Sequence, residues 1–316
     1  MKKTLPKRNL KREEIDRLAR ENPEAFVTAE HQRYFADLEA LARSLMAEPG
    51  PQGLVMLSGP SSSGKTTSAG YLSRLLREYG MEAHVVSLDD FYRGREQAPR
   101  LEDGSYDYEA LEALNLDQLQ TCLRELIDCG RTRIPRFDFV TGRPAPEREE
   151  LVLGAGSLVI FEGIHAINPL FEEHLPQERM AKIFVNTITP VYDGQRKLLA
   201  RRSLRLVRRI LRDERFRDCS AANTLLMWPQ VIRGENRYIF PYVDTVDYVI
   251  DTTHACEPCL FAPDIIPALT VAEATLPEGS AARETASQLK AAMEPFVTLP
   301  LSLLPQQSML REFVGD

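Results

Sequence analysis

The stretch LSGPSSSGKTTSAG, residues 57–70, concentrates the residue types that bind phosphate groups. It fits the pattern G-x-x-x-x-G-K-[ST] at Gly59, Gly64, Lys65 and Thr66. Glycines allow backbone N–H groups to turn inward around a polyphosphate, and the N-terminus of a following helix adds partial positive charge. In this pattern the lysine reaches the β- and γ-phosphates, and the threonine hydroxyl binds magnesium. The stretch therefore predicts a loop that holds a nucleoside triphosphate with Mg²⁺.

The segments on either side of this loop support the interpretation. The run GLVMLSG before it is apolar and predicts a buried strand at 53–58, and KTTSAGYLSRLLREYG after it predicts a helix at 65–79. A Gly/Ser-rich turn before an ordinary helix is the alternative, but strand, glycine loop and helix in this order favour phosphate binding. The residues expected to contact the nucleotide are Gly59, Ser61, Ser62, Ser63, Gly64, Lys65, Thr66 and Thr67.

Carboxylates stand at the ends of two further predicted strands. Asp89 and Asp90 follow the run AHVVSL, and Glu162 follows the run SLVIF. Ligands of a parallel sheet bind at the carboxyl ends of its strands, so these side chains should lie near the glycine loop. Magnesium takes oxygen ligands, and a carboxylate near the γ-phosphate can accept the proton of an attacking hydroxyl. The alternative is that the aspartates only cap the next turn and that Glu162 is a surface residue.

An arginine-rich helix is predicted at 193–216. Arg201, Arg205, Arg208 and Arg212 recur on one face of it. A solvated amphipathic helix and a nucleic-acid-binding helix are two interpretations of such a face. In a phosphoryl-transfer enzyme, arginines on a helical lid neutralise the charge that develops on the transferred group, and next to a phosphate loop we favour this third interpretation, with a lid over about 193–235.

Alternating strands and helices predict an α/β fold, with a parallel sheet covered by helices on both faces. A β-hairpin excursion is expected at 133–153, and residues 1–28 are expected to form a polar arm before a helix at 29–48. The other predicted strands are at 83–88, 157–162, 181–186 and 246–250, and the other predicted helices at 108–129, 219–234 and 280–294.

Composition limits the classes of protein to consider. Of the 316 residues 27% are charged, the formal net charge is −7, and there are five cysteines. No apolar run approaches the ~20 residues of a membrane span, and the basic start lacks the apolar stretch of a secretory signal, so a cytoplasmic protein without membrane contact is expected. The negative charge argues against a nucleic-acid partner. His254, Cys256 and Cys259 form only half of a zinc site, and zinc or redox chemistry is not expected there.

Several ordered blocks resemble the uridine kinase and phosphoribulokinase family of P-loop kinases, and in particular the bacterial uridine kinase-like nucleoside kinases. The resemblance covers about residues 53–252. It rests on the blocks GPSSSGKTT, SLDDFY, YDYEALEA, IPRFDFVTGRP, VIFEGIHAINP, RLVRRILRD and MWPQVIRGENRYIFP, which stand in the order and spacing of that family.

The resemblance implies a role for each matching residue. Asp89 matches the catalytic base and a metal-linked position, and Thr66 and Glu162 match the other magnesium positions. Tyr92 and Glu109 match positions that contact the acceptor, with a glutamate where the family usually has an aspartate that holds ribose hydroxyls. The arginines that match lid positions near the phosphates are Arg209, Arg212 and Arg217. The positions that read a pyrimidine in the family, or otherwise contact its acceptor, hold Phe137, Gly142, Cys219 and Met227, which lack the hydrogen-bonding groups found there.

From motif and resemblance together we expect a kinase that uses ATP and Mg²⁺. Its partner would be a small-molecule acceptor, such as the 5′-hydroxyl of a nucleoside; a sugar phosphate or glycerate acceptor, or a regulatory ATP-binding module, are the alternatives. The expected domains are an N-terminal arm and helix (1–50), a P-loop kinase domain (51–255) and a C-terminal helical extension packed on it (256–316). Homo-oligomerisation is left open.

Overall fold

Strands and helices alternate through the centre of the chain. The computed structural model describes residues 8–47, 53–101, 104–171 and 180–315. The strands are β1 (Leu10–Lys11), β2 (Gly53–Ser58), β3 (Ala83–Ser87), β4 (Arg131–Asp138), β5 (Arg143–Val152), β6 (Leu158–Glu162), β7 (Met180–Asn186), β8 (Val191–Asp193), β9 (Arg196–Leu199) and β10 (Tyr248–Asp251). The helices are α1 (Arg12–Glu21), α2 (Pro23–Ala47), α3 (Lys65–Glu78), α4 (Leu116–Cys129), α5 (Arg201–Phe216), α6 (Ala221–Tyr238), α7 (Glu257–Thr275), α8 (Ala281–Met293) and α9 (Arg311–Val314).

The central sheet confirms the predicted fold class. Five parallel strands pair in the order β10-β7-β2-β6-β3, so the strand that leads into the glycine loop lies in the middle. Side chains of β2 alternate between the two faces: Val55 and Leu57 belong to one apolar cluster, and Leu54 and Met56 to another. Helices therefore cover both faces of the sheet, as the near-continuous apolar strands predict.

The predicted hairpin is also present. β4 and β5 pair antiparallel from Arg131↔Val152 to Asp138↔Arg143, with an irregularity between Pro135 and Phe137. A three-stranded sheet, β1-β8-β9, lies apart from the central one. Among the described helices, none combines the length and the apolar character needed to cross a bilayer.

Three predicted elements are wrong in part. The arm at 1–28 contains α1 and the start of α2, because Ile15 and Ala19 give the charged α1 a buried stripe; residues 1–7 lie outside the described part. The helix predicted at 108–129 begins only at Leu116, because the Asn115 side chain caps it by accepting a hydrogen bond from the backbone N–H of Gln118. The helix predicted at 193–216 begins at Arg201, because the residues before it form the end of β8 and the paired strand β9.

Helix α7 was not predicted, since its segment contains Pro258, Pro263 and Pro267. Pro258 lies in the first turn, where no N–H is required. Pro263 cannot donate to the carbonyl of Cys259 four residues earlier. The backbone N–H of Leu299 donates to that carbonyl instead, at 2.9 Å. A neighbouring segment thus supplies the hydrogen bond that Pro263 cannot donate within α7.

The N-terminal and C-terminal helices share the apolar cluster of the sheet. Leu38 and Leu41 of α2 and Leu260 of α7 belong to the same buried cluster as Val55 of β2. The boundaries proposed near residues 50 and 255 stay a prediction. What the packing establishes is that these helices lie against the sheet that carries the glycine loop.

Candidate active site

The glycine loop joins the end of β2 to the start of α3. A Cβ built on Gly59 would lie 2.2 Å from the carbonyl oxygen of Val185, so only glycine fits beside β7 at this point. Ser62 and Gly64 have positive φ values of 58° and 85°, and these left-handed residues fold the loop over the N-terminus of α3. The first N–H groups of α3 have no acceptor within the helix, which leaves them for an anion.

The carbonyl groups of the loop accept hydrogen bonds on the side away from the expected phosphates. Arg205 Nη1 donates to the Ser61 carbonyl at 3.0 Å, Arg208 Nη1 donates to the Ser62 carbonyl at 3.4 Å, and Thr252 Oγ1 donates to the Ser63 carbonyl at 2.7 Å. These contacts tie the loop to α5 and to the residue after β10. Three successive carbonyls are thus satisfied without using the phosphate side of the loop.

Two buried ion pairs fix the arginines that hold the loop. Arg205 forms a two-pronged pair with Glu235 of α6, and Arg208 forms one with Glu257 of α7, with Arg208 Nε–Oε2 at 2.8 Å. All four side chains are at most 1% exposed. Burial alone would raise the pKa of Glu257, but the charge of Arg208 and the hydrogen bonds it receives lower it to about 2.

Removing one partner of the Arg208–Glu257 pair should destabilise the fold. Glu257→Gln leaves the buried guanidinium uncompensated, and we expect the free energy of unfolding to fall by about 3 kcal/mol or more. Urea unfolding measures this loss of stability. Glu273→Gln is the matched control, because Glu273 pairs with Lys290 at 2.6 Å near the surface. Removing that charge should cost less than about 1 kcal/mol. Equal losses in the two variants would contradict the assignment.

The predicted magnesium residues come together beside the loop. Glu162 Oε1 accepts hydrogen bonds from Thr66 Oγ1 at 3.2 Å and from Ser87 Oγ at 3.1 Å. Its other oxygen, Oε2, is buried and has no hydrogen-bond partner among the described residues. Burial raises the pKa of Glu162, while Lys65 acts in the opposite direction. A buried carboxylate oxygen with unused acceptor capacity next to a threonine hydroxyl fits a hard cation.

Asp89 and Asp90 follow β3 but differ in their contacts. Asp89 is half-buried. Burial and the charge of Asp90 raise its pKa, whereas the charges of Lys65 and Arg217 lower it. Asp90 instead accepts a hydrogen bond from the backbone N–H of Phe137 at 3.1 Å and pairs with Arg136 at 3.2 Å. The charges of Lys65 and Arg217 thus act on Asp89, whereas Asp90 anchors the hairpin.

The predicted acceptor residues form an aromatic wall with a carboxyl group beside it. The rings of Tyr92 and Phe137 meet edge to face with centroids 5.9 Å apart, and Phe139 continues the series 5.1 Å from Phe137. Glu109 packs against Gly234 of α6, where a Cβ would lie 2.7 Å from the Glu109 Cβ. Burial raises the pKa of Glu109, and the charges of Arg209 and Lys65 act against this rise.

Three predicted arginines share one carboxylate. Arg209, Arg212 and Arg217 lie 3.2, 2.8 and 3.6 Å from oxygens of Asp213, whose side chain is 3% exposed. Arg209 also donates to Ser61 Oγ at 2.8 Å. Asp213 was not predicted, although its position four residues from both Arg209 and Arg217 on a helical face carried the signal. Because Arg209 bonds to Ser61, this cluster borders the glycine loop.

Other predicted positions lie apart from this constellation. Gly142 turns the hairpin tip at φ 68° and packs on Arg95. Cys219 is half-buried with its thiol 3.7 Å from Thr224 Oγ1, and Met227 is exposed on α6. His254 Nδ1 lies 2.9 Å from the Thr252 carbonyl oxygen. Cys256 and Cys259 are buried, and the described residues contain no group of three metal-ligating His, Cys, Asp or Glu side chains.

Burial raises the pKa of Glu109 to about 7, from the 4.5 of an ordinary glutamate. The native state therefore keeps this proton where the unfolded chain has released it, and the free energy of unfolding should fall as the pH rises from 4.5 to 7. At about 1.4 kcal/mol per pKa unit the loss approaches ~3 kcal/mol. In urea unfolding, the free energy of unfolding of Glu109→Gln should fall correspondingly less between pH 5 and pH 8. Parallel pH profiles for wild type and variant would refute the assignment.

Central strand, glycine loop, helix and converging carboxylates define an α/β P-loop nucleotide-binding protein. The sequence profile described as "Phosphoribulokinase / Uridine kinase family" matches residues 54–256. The chain therefore belongs to the phosphoribulokinase and uridine kinase family.

Relatives with assigned names are similar to this chain at modest identity. It is 27% identical over 201 residues to the uridine kinase of Saccharomyces cerevisiae, covering 62% of this chain and 36% of the yeast enzyme. It is 26% identical over 180 residues to the uridine kinase of Mycoplasma genitalium, covering 57% of this chain and 75% of that enzyme. The matched region thus spans about a third of the yeast relative's length.

Solved structures also align with part of this chain. A structure described as a possible uridine kinase from Bacillus stearothermophilus aligns with a TM-score of 0.47 at 17% identity, covering 68% of this chain and 98% of that one. Phosphoribulokinase from Rhodobacter spheroides aligns with a TM-score of 0.40 at 18% identity, covering 62% of this chain and 68% of that one.

Proposed function

We propose that this protein transfers the γ-phosphate of Mg-ATP to the 5′-hydroxyl of a nucleoside. One observation carries the proposal: Glu162 accepts hydrogen bonds from Thr66 of the glycine loop at 3.2 Å and from Ser87, two residues before Asp89, at 3.1 Å. The carboxylates that end β6 and follow β3 thus lie beside the loop whose lysine is expected at the β- and γ-phosphates. This arrangement supports metal-binding and base groups next to the reacting phosphate.

Magnesium fits beside Thr66 and Glu162. The unpartnered Oε2 of Glu162 and the Thr66 hydroxyl offer oxygen ligands, and Asp89 supplies a further carboxylate close by. When bound, Mg²⁺ would neutralise phosphate charge during transfer.

Asp89 is the proposed base. Burial raises the pKa of Asp89, which makes the carboxylate a better proton acceptor than an exposed aspartate, while the charges of Lys65 and Arg217 act against this rise. The hydroxyl proton moves to Asp89 as the acceptor oxygen bonds to the γ-phosphorus and the bond to the ADP leaving oxygen breaks. Lys65, Arg209, Arg212 and Arg217 stabilise the charge on the transferring group.

A nucleoside acceptor is supported by the acceptor side of the site. Glu109 offers a carboxyl group to vicinal hydroxyls, and the rings of Tyr92, Phe137 and Phe139 offer faces and edges against which a base could stack. The similarity to named uridine kinases points in the same direction. Stacking on aromatic rings accepts any base, because every base has a π-face.

Asp89→Asn should lower kcat by roughly 10²–10⁴-fold, because general-base catalysis contributes that much. Nucleotide binding, measured by calorimetry with Mg-ADP, should persist. Asp90→Asn is the matched control: it loosens the hairpin through Phe137 and Arg136, so it should raise KM for the acceptor more than it lowers kcat. Equal losses of kcat in both variants would refute this division of roles.

The acceptor can be identified by comparing kcat/KM for uridine, cytidine, adenosine, guanosine and inosine, with D-glycerate and ribulose 5-phosphate in the same series. We expect the ribosides to be phosphorylated without a strong preference for pyrimidines, because Phe137 offers a ring without a hydrogen-bonding group. A site that hydrogen-bonds its substrate discriminates by ~10⁴-fold or more. A pyrimidine preference of that size would overturn the inference about specificity, and a preference for glycerate or the sugar phosphate would overturn the nucleoside proposal.

A further inference from the structure

Residues 307–315, here called the C-terminal strap, lie across the start of α3. The strap begins beside Tyr71, whose hydroxyl donates to the Gln307 carbonyl. Met309 is fully buried, and a Cβ built on Gly64 would come within 2.8 Å of its sulfur. The strap therefore touches the glycine loop at the residue that precedes Lys65.

The far end of the strap is fixed to α5. The Phe313 ring is fully buried with the Arg208 guanidinium carbon 5.0 Å from its centroid. Arg215 donates to the Val314 carbonyl, and a Cβ on Gly315 would lie 3.2 Å from the Phe216 ring. Because both ends are anchored, the position of the side chains between them is set by the packing.

One of those side chains is a carboxylate that contacts the loop. Thr67 Oγ1 donates a hydrogen bond to Glu312 Oε2. Glu312 is half-buried, and among the described residues no Lys, Arg or His lies within 4.0 Å of its carboxylate. Its negative charge stands in the first turn of α3, where the partial positive charge of a helix N-terminus favours an anion. The triphosphate of the proposed function requires the same turn and the same threonine.

We propose that Glu312 acts as an internal anion that competes with the nucleotide phosphates for Thr67, so that the C-terminal strap regulates nucleotide affinity. This inference rests on the proposed function. With nucleotide bound, the Glu312 carboxylate leaves Thr67, because two like charges at one helix terminus repel each other. Met309 and Phe313 stay in the core, so only the exposed side of the strap has to move.

The test compares the binding of Mg-ADP by calorimetry in wild type, Glu312→Gln and Glu278→Gln. The glutamine keeps the size and an acceptor oxygen for Thr67 but removes the charge, and we expect the Kd for Mg-ADP to fall on the order of tenfold, less at high salt. Glu278 is the matched control, because its side chain is 91% exposed and its loss of charge should leave Kd unchanged. Circular dichroism checks that each variant is folded.

The outcomes separate this inference from the proposed function. An unchanged Kd in Glu312→Gln, or one that changes equally in Glu278→Gln, overturns the role of Glu312 alone. Weaker binding in Glu312→Gln also overturns it, because Glu312 would then be a ligand of the nucleotide. Absence of Mg-ADP binding in wild type, with no further change in Lys65→Ala, overturns the proposed function and this inference with it.

Discussion

The hydrogen bonds from Arg205, Arg208 and Thr252 to three successive loop carbonyls are the constraint on which the site depends. A loop whose N–H groups face a phosphate turns its carbonyl groups the other way, and buried carbonyls need donors. Arginine meets this need with several donors in a fixed plane. It also brings charge into the core, which Glu235 and Glu257 neutralise. The shape of the loop is thus maintained by α5, α6 and α7 together.

This constraint divides the arginines of α5 into two groups. Arg205 and Arg208 are buried and committed to the back of the loop, whereas Arg209, Arg212 and Arg217 surround Asp213 at the border of the site. A single carboxylate among three guanidinium groups leaves net positive charge, which suits an anionic substrate. The cationic face predicted for this helix therefore has two roles: some of its arginines hold the back of the loop, and others surround Asp213. Closure of residues 193–235 over a substrate stays a prediction.

The loop, the central strands and the carboxylates at their ends could be predicted, because each depends on local patterns: a motif, an apolar run and the residue that follows it. The roles of Arg205 and Arg208 could not, since they depend on Glu235 and Glu257, which lie 30 and 49 residues away. Helix α7 was missed because the donor for the Cys259 carbonyl comes from Leu299. Glu312 was missed for the same reason, because its partner Thr67 lies 245 residues earlier.

Adjacent residues at the end of β3 connect the two sides of the site. The short helical turn Leu88–Phe91 points neighbouring side chains in different directions, and the Ser87 hydroxyl accepts a hydrogen bond from the backbone N–H of Asp89 at its start. Asp89 faces the charges of Lys65 and Arg217, while Asp90 faces the hairpin. The aromatic wall is thereby tied to the strand that carries the proposed base. A change in the hairpin would therefore move the wall relative to Asp89 only by straining this turn.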